Sequence, residues 1–308
     1  MIGTRWKKRL KDSWEFYVFL LIPLLYLLLF IYVPMTGVQI AFKRFTPIGG
    51  IWGSEWVGLR NFTRFFTSYQ LKRILPNTLR ISLYALLAGF PIPIIFALLL
   101  NVMKNGRTKK LIQTVTYMPH FISTVVLVGM IIRICSPVNG LYAHIIRLFN
   151  LRHMDLMAQP EIFPHLYVWS GIWQHFGWSS IIYLAALSGV NSELHEAAEI
   201  DGANRFQRVI NIDFPAILPT ATILLILGCG SIMSVGFEKV FLMQNELNLR
   251  TSEVISTYVY KTGLGSGSGG RSDFSYATAI GLFNSAINLI MVGGVNALTR
   301  RMSDTSLW

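Results

Sequence analysis

Six apolar runs constrain this chain more than any other feature: Phe16–Val33, Ile81–Val102, Phe121–Ile134 (starting a few residues earlier), Tyr167–Ala186, Ala216–Val235 and Ala277–Leu298. Across all six the only Asp, Glu, Lys or Arg is Arg133. About 18 apolar residues suffice to cross a bilayer as a helix, the conformation that satisfies its own backbone polar groups where there is no water. The expectation is an all-α membrane protein with six transmembrane helices. Composition agrees: 14% of the 308 residues are charged, against about 25% in soluble domains, and mean hydropathy is +0.49. The first run is read as a retained anchor, because it is too long for a signal peptide and no small-residue cleavage site follows it.

The net charge of +12 raises the question of nucleic acid, but the basic residues gather at the ends of apolar runs, where topology and anionic lipid favour them. The expected partner of these charges is membrane lipid, with no nucleic acid. Arg5, Lys7, Lys8, Arg9 and Lys11 precede span one; Lys104, Arg107, Lys109 and Lys110 follow span two; Arg300 and Arg301 follow span six. Basic flanks stay inside, so both termini are expected in the cytoplasm. The chain divides into an N-terminal segment 1–15, a six-span domain 16–299 and a tail 300–308. The longer connections near 34–80, 135–166 and 236–276 fall outside, and the 189–215 loop falls inside.

Few motifs point to chemistry. Gly265-Ser266-Gly267-Ser268-Gly269-Gly270-Arg271-Ser272 imitates a phosphate-binding loop without the buried strand before it or the helix after it; a flexible loop tip is the better reading. The six His residues are scattered and no HExxH occurs. Cys135 and Cys229 have no metal-ligand spacing and read as small buried hydrophobes. Neither a catalytic residue nor a metal or cofactor site is expected on this chain.

The loop 189–215 is the exception to this blandness. Ser192 is placed to cap a helix, with Glu193 in its first turn. Leu194, Ala197, Ala198 and Asp201 share one small, mostly apolar face, and Gly202 suits a left-handed helix terminus. Pro215 and Pro219 mark the entry to span five. A helix lying on lipid would show a basic face with bulky apolar residues. Residues 193–201 instead hold four acids and no Lys or Arg, which favours docking to a protein.

These residues resemble a known family. Glu196-Ala197-Ala198, then Gly202, then Ile212 and Phe214-Pro215 follow the spacing of the coupling loop in the membrane subunit of binding-protein-dependent ABC importers, with Phe214 where Leu is usual. Glu199-Ile200-Asp201-Gly202-Ala203 resembles the carbohydrate-uptake branch. Gly236-Phe237-Glu238-Lys239-Val240-Phe241-Leu242, Thr257-Tyr258-Val259-Tyr260, Phe274-Ser275-Tyr276-Ala277-Thr278-Ala279, Asn296-Ala297-Leu298-Thr299-Arg300-Arg301 and Pro34-Met35-Thr36-Gly37-Val38-Gln39-Ile40-Ala41-Phe42 resemble oligosaccharide permeases. The resemblance implies a type I ABC importer permease in a bacterial cytoplasmic membrane. It would pair with a second homologous permease, two cytosolic ATPase subunits and an external sugar-binding lipoprotein, and pass an oligosaccharide. ATP and Mg would sit on the ATPase. Coupling falls to Glu196, Ala197, Ala198, Asp201, Gly202, Arg205 and Pro215.

For the sugar path, span four offers Gly171, Gln174, His175 and Trp178 on one helical face. Span five offers Ser231, Ser234 and Glu238, again as one face; a carboxylate near a span is costly and marks a functional candidate. Asn284 and Asn288 in span six read as packing against the partner permease, and Pro91 and Pro93 as a kink. Two other classes compete: an enzyme acting on lipid-linked sugar, and an ion-coupled transporter. The first needs a charged catalytic cluster at the interface, and the second needs ionisable groups at mid-membrane. The sequence supplies neither pattern.

Overall fold

The computed structural model describes residues 13–103, 106–149, 154–265 and 272–302, with the side chains of 301 and 302 outside that set. The basic cluster Arg5–Lys11, Lys104, the 266–271 stretch of the glycine-serine run and the Arg301 side chain therefore lie outside the described residues. The helices that matter here are α1 (Trp14–Leu27), α2 (Leu71–Gly89), α3 (Pro91–Val102), α4 (Arg107–Tyr117), α5 (Thr124–Cys135), α6 (Phe163–Ser188), α7 (Ser192–Ile200), α8 (Phe214–Gly230), α9 (Phe237–Met243), α10 (Ile255–Gly263) and α11 (Phe274–Met302). A short antiparallel pair, β1 (Lys43–Arg44) and β2 (Glu55–Trp56), aligns Lys43 with Trp56.

The chain forms two compact units, one built on residues up to Phe65 with Thr262–Leu282, the other on Phe66–Lys261 with Phe283 onward. In the first, Phe42 stacks on Trp56 at 5.7 Å, and Asn61 Nδ2 donates to the Ala41 and Lys43 carbonyls at 2.8 and 3.2 Å. Arg64 pairs with Asp273 at 2.7 Å and lies 4.2 Å over the Tyr276 ring. None of the α1 residues is buried, although the helix is apolar all round; such a surface suits lipid.

In the second unit α6 is the central helix, packed against α2, α3, α4 and α8. One cluster joins Ile81, Leu127, Val128, Phe163, Val240 and Met243; another joins Ile94, Ala97, Tyr183, Leu187, Ile217 and Ala221. Gly177 permits the closest approach: a Cβ there would lie 2.2 Å from the Thr116 carbonyl oxygen, inside any tolerable contact.

Four helical stretches are long and apolar enough to cross a membrane: Trp14–Phe42, Leu71–Val102, Arg205–Gly230 and Phe274–Arg300. The expected third span, Phe121–Ile134, is not one straight helix. Arg107–Phe121 and Thr124–Cys135 meet at a 99° bend, and by length and composition only the two together could supply a fifth crossing. Pro119, and Ser123 capping α5 through its hydroxyl, end one helix and start the next. The expected fourth span falls in α6, whose 26 residues reach roughly 39 Å at about 1.5 Å per residue but which is not among the helices apolar enough to cross. Its hydropathy is diluted by polar residues, Gln174 and Ser180 among them, which the unit buries.

Span five ends at Gly230, not at Val235. A Cβ on Gly230 would meet Val292 Cγ2 at 2.2 Å, so the helix closes on α11 there. The apolar residues Ile232, Met233 and Val235 are buried outside any helix. Two prolines are absorbed by wide π turns. Leu28–Tyr32 precedes Pro34, and Val209–Asp213 precedes Pro215. A proline ring crowds the carbonyl four residues back; here those are Phe30 and Asn211, both inside the π turn, where the ladder is looser. Pro215 and Pro219 consequently sit within a helical path running from Arg205 to Gly230, not at its entry. Helical backbone also continues through Phe90, so Pro91 and Pro93 interrupt the hydrogen bonds without ending the 32-residue stretch Leu71–Val102.

Candidate functional site

Asn191, one residue ahead of the expected Ser192, caps α7: its Oδ1 accepts from Glu193 N–H at 3.0 Å. The helix closes as anticipated. Gly202 has φ +81°, and Ala203 N–H reaches back to the Ala198 carbonyl at 2.8 Å, the closure a left-handed residue permits. None of the α7 residues is buried. Glu196, Ala197, Asp201 and Arg205 are all exposed, and Ile200 is 87% exposed. Asn204 and Gln207 form a reciprocal capping box for the next turn, and Arg208 pairs with Glu199 at 3.0 Å.

What ties this exposed helix down was not legible in its pattern. Asp213, only 2% exposed, accepts from Asn101 Nδ2 at 3.1 Å, and its Oδ1 lies 3.3 Å from His195 Nε2. One carboxylate thus joins α7, the end of α3 and the π turn leading into α8. Asp213 occupies the unassigned position between Ile212 and Phe214, and no periodicity names its partners.

A second candidate site is a cavity of about 470 Å³ in the same unit, with Tyr167, Gly171, His175, Glu238 and Lys239 in its wall. Of the expected span-four face, Gly171, Gln174 and His175 line it, but Gln174 Nε2 donates to the Ile122 carbonyl at 2.8 Å. That bond satisfies backbone at the 99° bend, so Gln174 also serves the fold. His175 Nδ1–H donates to the Gly171 carbonyl at 3.0 Å. Trp178 leaves this cavity; it stacks on His120 with centroids 4.5 Å apart and lines a neighbouring cavity of about 670 Å³. The two cavities share Gly89, Pro93 and Ser179.

The expected Ser231–Ser234–Glu238 face does not exist, because the helix stops at Gly230 and α9 begins at Phe237. Ser231 Oγ donates to the Gly228 carbonyl at 3.1 Å. Ser234 Oγ accepts from Asn288 Nδ2 at 2.9 Å, and neither serine lines either cavity. Only Glu238, exposed in the first turn of α9, reaches the cavity. Asn288 also accepts from Met233 N–H at 3.0 Å, so its side chain is engaged within this chain. Asn284 Oδ1 is buried with no hydrogen bond among the described residues.

Lys239 is the residue that sequence reasoning missed here. It is 9% exposed; its Nζ donates to the Tyr167 carbonyl at 2.8 Å and sits 4.9 Å over that ring. Tyr167 Oη in turn accepts from Gly236 N–H at 3.1 Å. Burial lowers the Lys239 pKa to about 8. A Lys beside an acid in a loop reads as a solvated pair, and only tertiary packing turns it inward.

A multi-pass helical chain with a cavity between its spans and an exposed, tethered helix is the membrane subunit of a transporter. The chain belongs to the family described as binding-protein-dependent transport system inner membrane component, which matches residues 89–304. It is 39% identical over 307 residues to Protein LplB of Bacillus subtilis (strain 168), covering 99% of this chain and 95% of that protein. It is 40% identical over 292 residues to the polygalacturonan/rhamnogalacturonan transport system permease protein YteP of the same strain, covering 95% and 89%. A chain of a bacterial alginate ABC transporter, solved with an alginate pentasaccharide-bound periplasmic protein, superposes with TM-score 0.88 at 37% identity, covering 97% of this chain and 99% of that one. The fold is therefore that of a type I ABC importer permease, and the chain is a transporter subunit and not an enzyme.

Proposed function

We propose that this chain forms half of the membrane path of an ABC importer for an acidic oligosaccharide, an oligouronate, and that α7 docks on a cytosolic ATPase subunit. The docking reading is carried by one observation: a capped nine-residue helix has no buried residue, yet is held to the body through Asp213. A helix that is tethered to its own chain yet buries none of its residues there has faces left for a partner. Its acids and its small Ala197–Ala198 face support a protein partner. Coupling is assigned to Glu196, Ala197, Ala198, Asp201, Gly202 and Arg205, with Pro215 setting the turn through which movement reaches α8.

Both termini and the 189–215 loop lie in the cytoplasm on this reading. A second homologous permease completes the path, two ATPase subunits hold ATP and Mg, and an external sugar-binding lipoprotein delivers the cargo. The substrate class follows relatives of 40% and 37% identity, named for polygalacturonan/rhamnogalacturonan transport and for import of the acidic polysaccharide alginate. To test docking, Ala198→Cys is placed in a chain whose Cys135 and Cys229 are replaced by Ser, and cross-linked in the assembled importer. Cross-links to the ATPase that change with ATP are expected. Cross-links to lipid-phase reagents alone would place α7 on the membrane and refute docking.

A further inference from the structure

We infer that Lys239 is the carboxylate-reading residue of the translocation path: its ammonium takes one uronate carboxylate of the passing glycan inside the cavity bounded by Tyr167, Gly171 and His175. This assignment rests on the oligouronate reading and names the group that would recognise the acid.

The amine is buried and under-partnered. Among the described residues its three N–H donors meet one acceptor, the Tyr167 carbonyl at 2.8 Å, and no carboxylate lies within ion-pair distance. A buried cation without a counter-ion is strongly unfavourable, and its lowered pKa, about 8, reflects that burial. Partly buried cations elsewhere in this unit have side-chain partners: Arg73 pairs with Glu253, and Lys261 donates to Gln244 Oε1 at 2.6 Å. Lys239 is also the only Lys or Arg among the described residues lining the cavity.

The amine lies at the cavity wall beside Gly171. A Cβ built on Gly171 would sit 3.2 Å from Nζ, so glycine makes room for the ammonium in the wall. The cavity, about 470 Å³, falls in the range of roughly 300–1,000 Å³ that holds a small organic ligand. Phe176 and Phe237 supply apolar surface for sugar C–H faces. The other titratable groups in the wall are Tyr167, His175 and Glu238. Glu238 is exposed, which weakens its repulsion of an anion, whereas the ammonium is buried, where a charge-assisted bond is stronger.

The test uses the complete importer in proteoliposomes with tetragalacturonate and its fully methyl-esterified form, which differ only in charge. ATP-driven uptake of the free acid by the wild type establishes the oligouronate reading; absence of uptake refutes that reading, and this assignment with it. Equilibrium binding to the solubilised permease–ATPase complex, without the binding protein, then isolates Lys239. The wild type is expected to bind the free acid about 10-fold or more tighter than the ester, the scale of a hydrogen bond to a charged group. Lys239→Gln should bring that ratio close to one, and Lys239→Arg should keep most of it. A Lys239→Gln complex that weakens both ligands in parallel, or keeps the wild-type ratio, overturns the assignment in favour of a structural lysine. If Lys239→Gln does not assemble, Lys239→Arg decides: a retained preference supports the assignment and an equalised ratio overturns it.

Discussion

Gly202 separates a structural role from a docking role with one pair of substitutions. Its φ of +81° is left-handed, a region that costs an ordinary L residue about 1–2 kcal/mol, while Asn visits it more readily. A Cβ at this position meets nothing of its own chain within 4 Å, so no clash adds to the backbone term. Gly202→Ala should therefore lower stability by about 1–2 kcal/mol, confined to the end of a helix with no buried residue. Gly202→Asn should lower it by less. If an ATPase groove encloses the turn, the larger Asn side chain must displace the partner, and overpacking of about 1–3 kcal/mol weakens association by roughly 5- to 150-fold. The assay titrates the ATPase onto the purified permease pair, then compares transport per ATP hydrolysed in proteoliposomes. Weakened association in Gly202→Asn with near-normal thermal unfolding is the expected result. An Asn variant with unchanged ATPase affinity and normal transport would refute the reasoning, since the side chain then projects into solvent in the assembled importer.

Asp213→Ala leaves the Asn101 amide and His195 without their shared acceptor; a loss of about 1–3 kcal/mol should appear in thermal unfolding of the solubilised permease, together with fewer substrate molecules moved per ATP. An unchanged midpoint would contradict its tethering role. Gln174→Leu orphans the Ile122 carbonyl at the bend and should destabilise by a similar amount while leaving KM for uptake unchanged; the opposite pattern would return Gln174 to the substrate path. For Lys239, the folded pKa of about 8 lies below the unfolded value, so between pH 8 and about 10.5 the unfolded chain holds a proton that the folded chain has released. Stability therefore rises with pH through that window and falls as pH drops toward 8. The full swing is about 3 kcal/mol at roughly 1.36 kcal/mol per pH unit. Denaturant unfolding across that range should show the slope, and Lys239→Met should flatten it.

The readings that held rest on local physics. Apolar runs mark membrane helices because the bilayer leaves the backbone no other partner, and Gly202 ends α7 because the closing turn is written within a few residues of it. The readings that changed depended on distant partners. Gln174 lines the cavity as expected, but its amide also holds the Ile122 carbonyl, 52 positions away. Ser231 and Ser234 shared a helical face only if the helix continued, and it ends at Gly230, where the chain lies close to Val292. Asp213 bonds across 112 positions to Asn101, and Lys239 across 72 to Tyr167; neither pairing leaves a periodic trace.

The sequence by itself determined a helical membrane protein with an exposed acidic helix between two spans, because hydrophobic length, charge at the ends of runs and helix capping are short-range properties. Only the tertiary structure decided that span three bends by 99°, that span five stops at Gly230, and that Lys239 turns into a cavity. Burial is a property of what packs on a residue from elsewhere in the chain, and it converts an ordinary lysine beside a glutamate into an uncompensated charge.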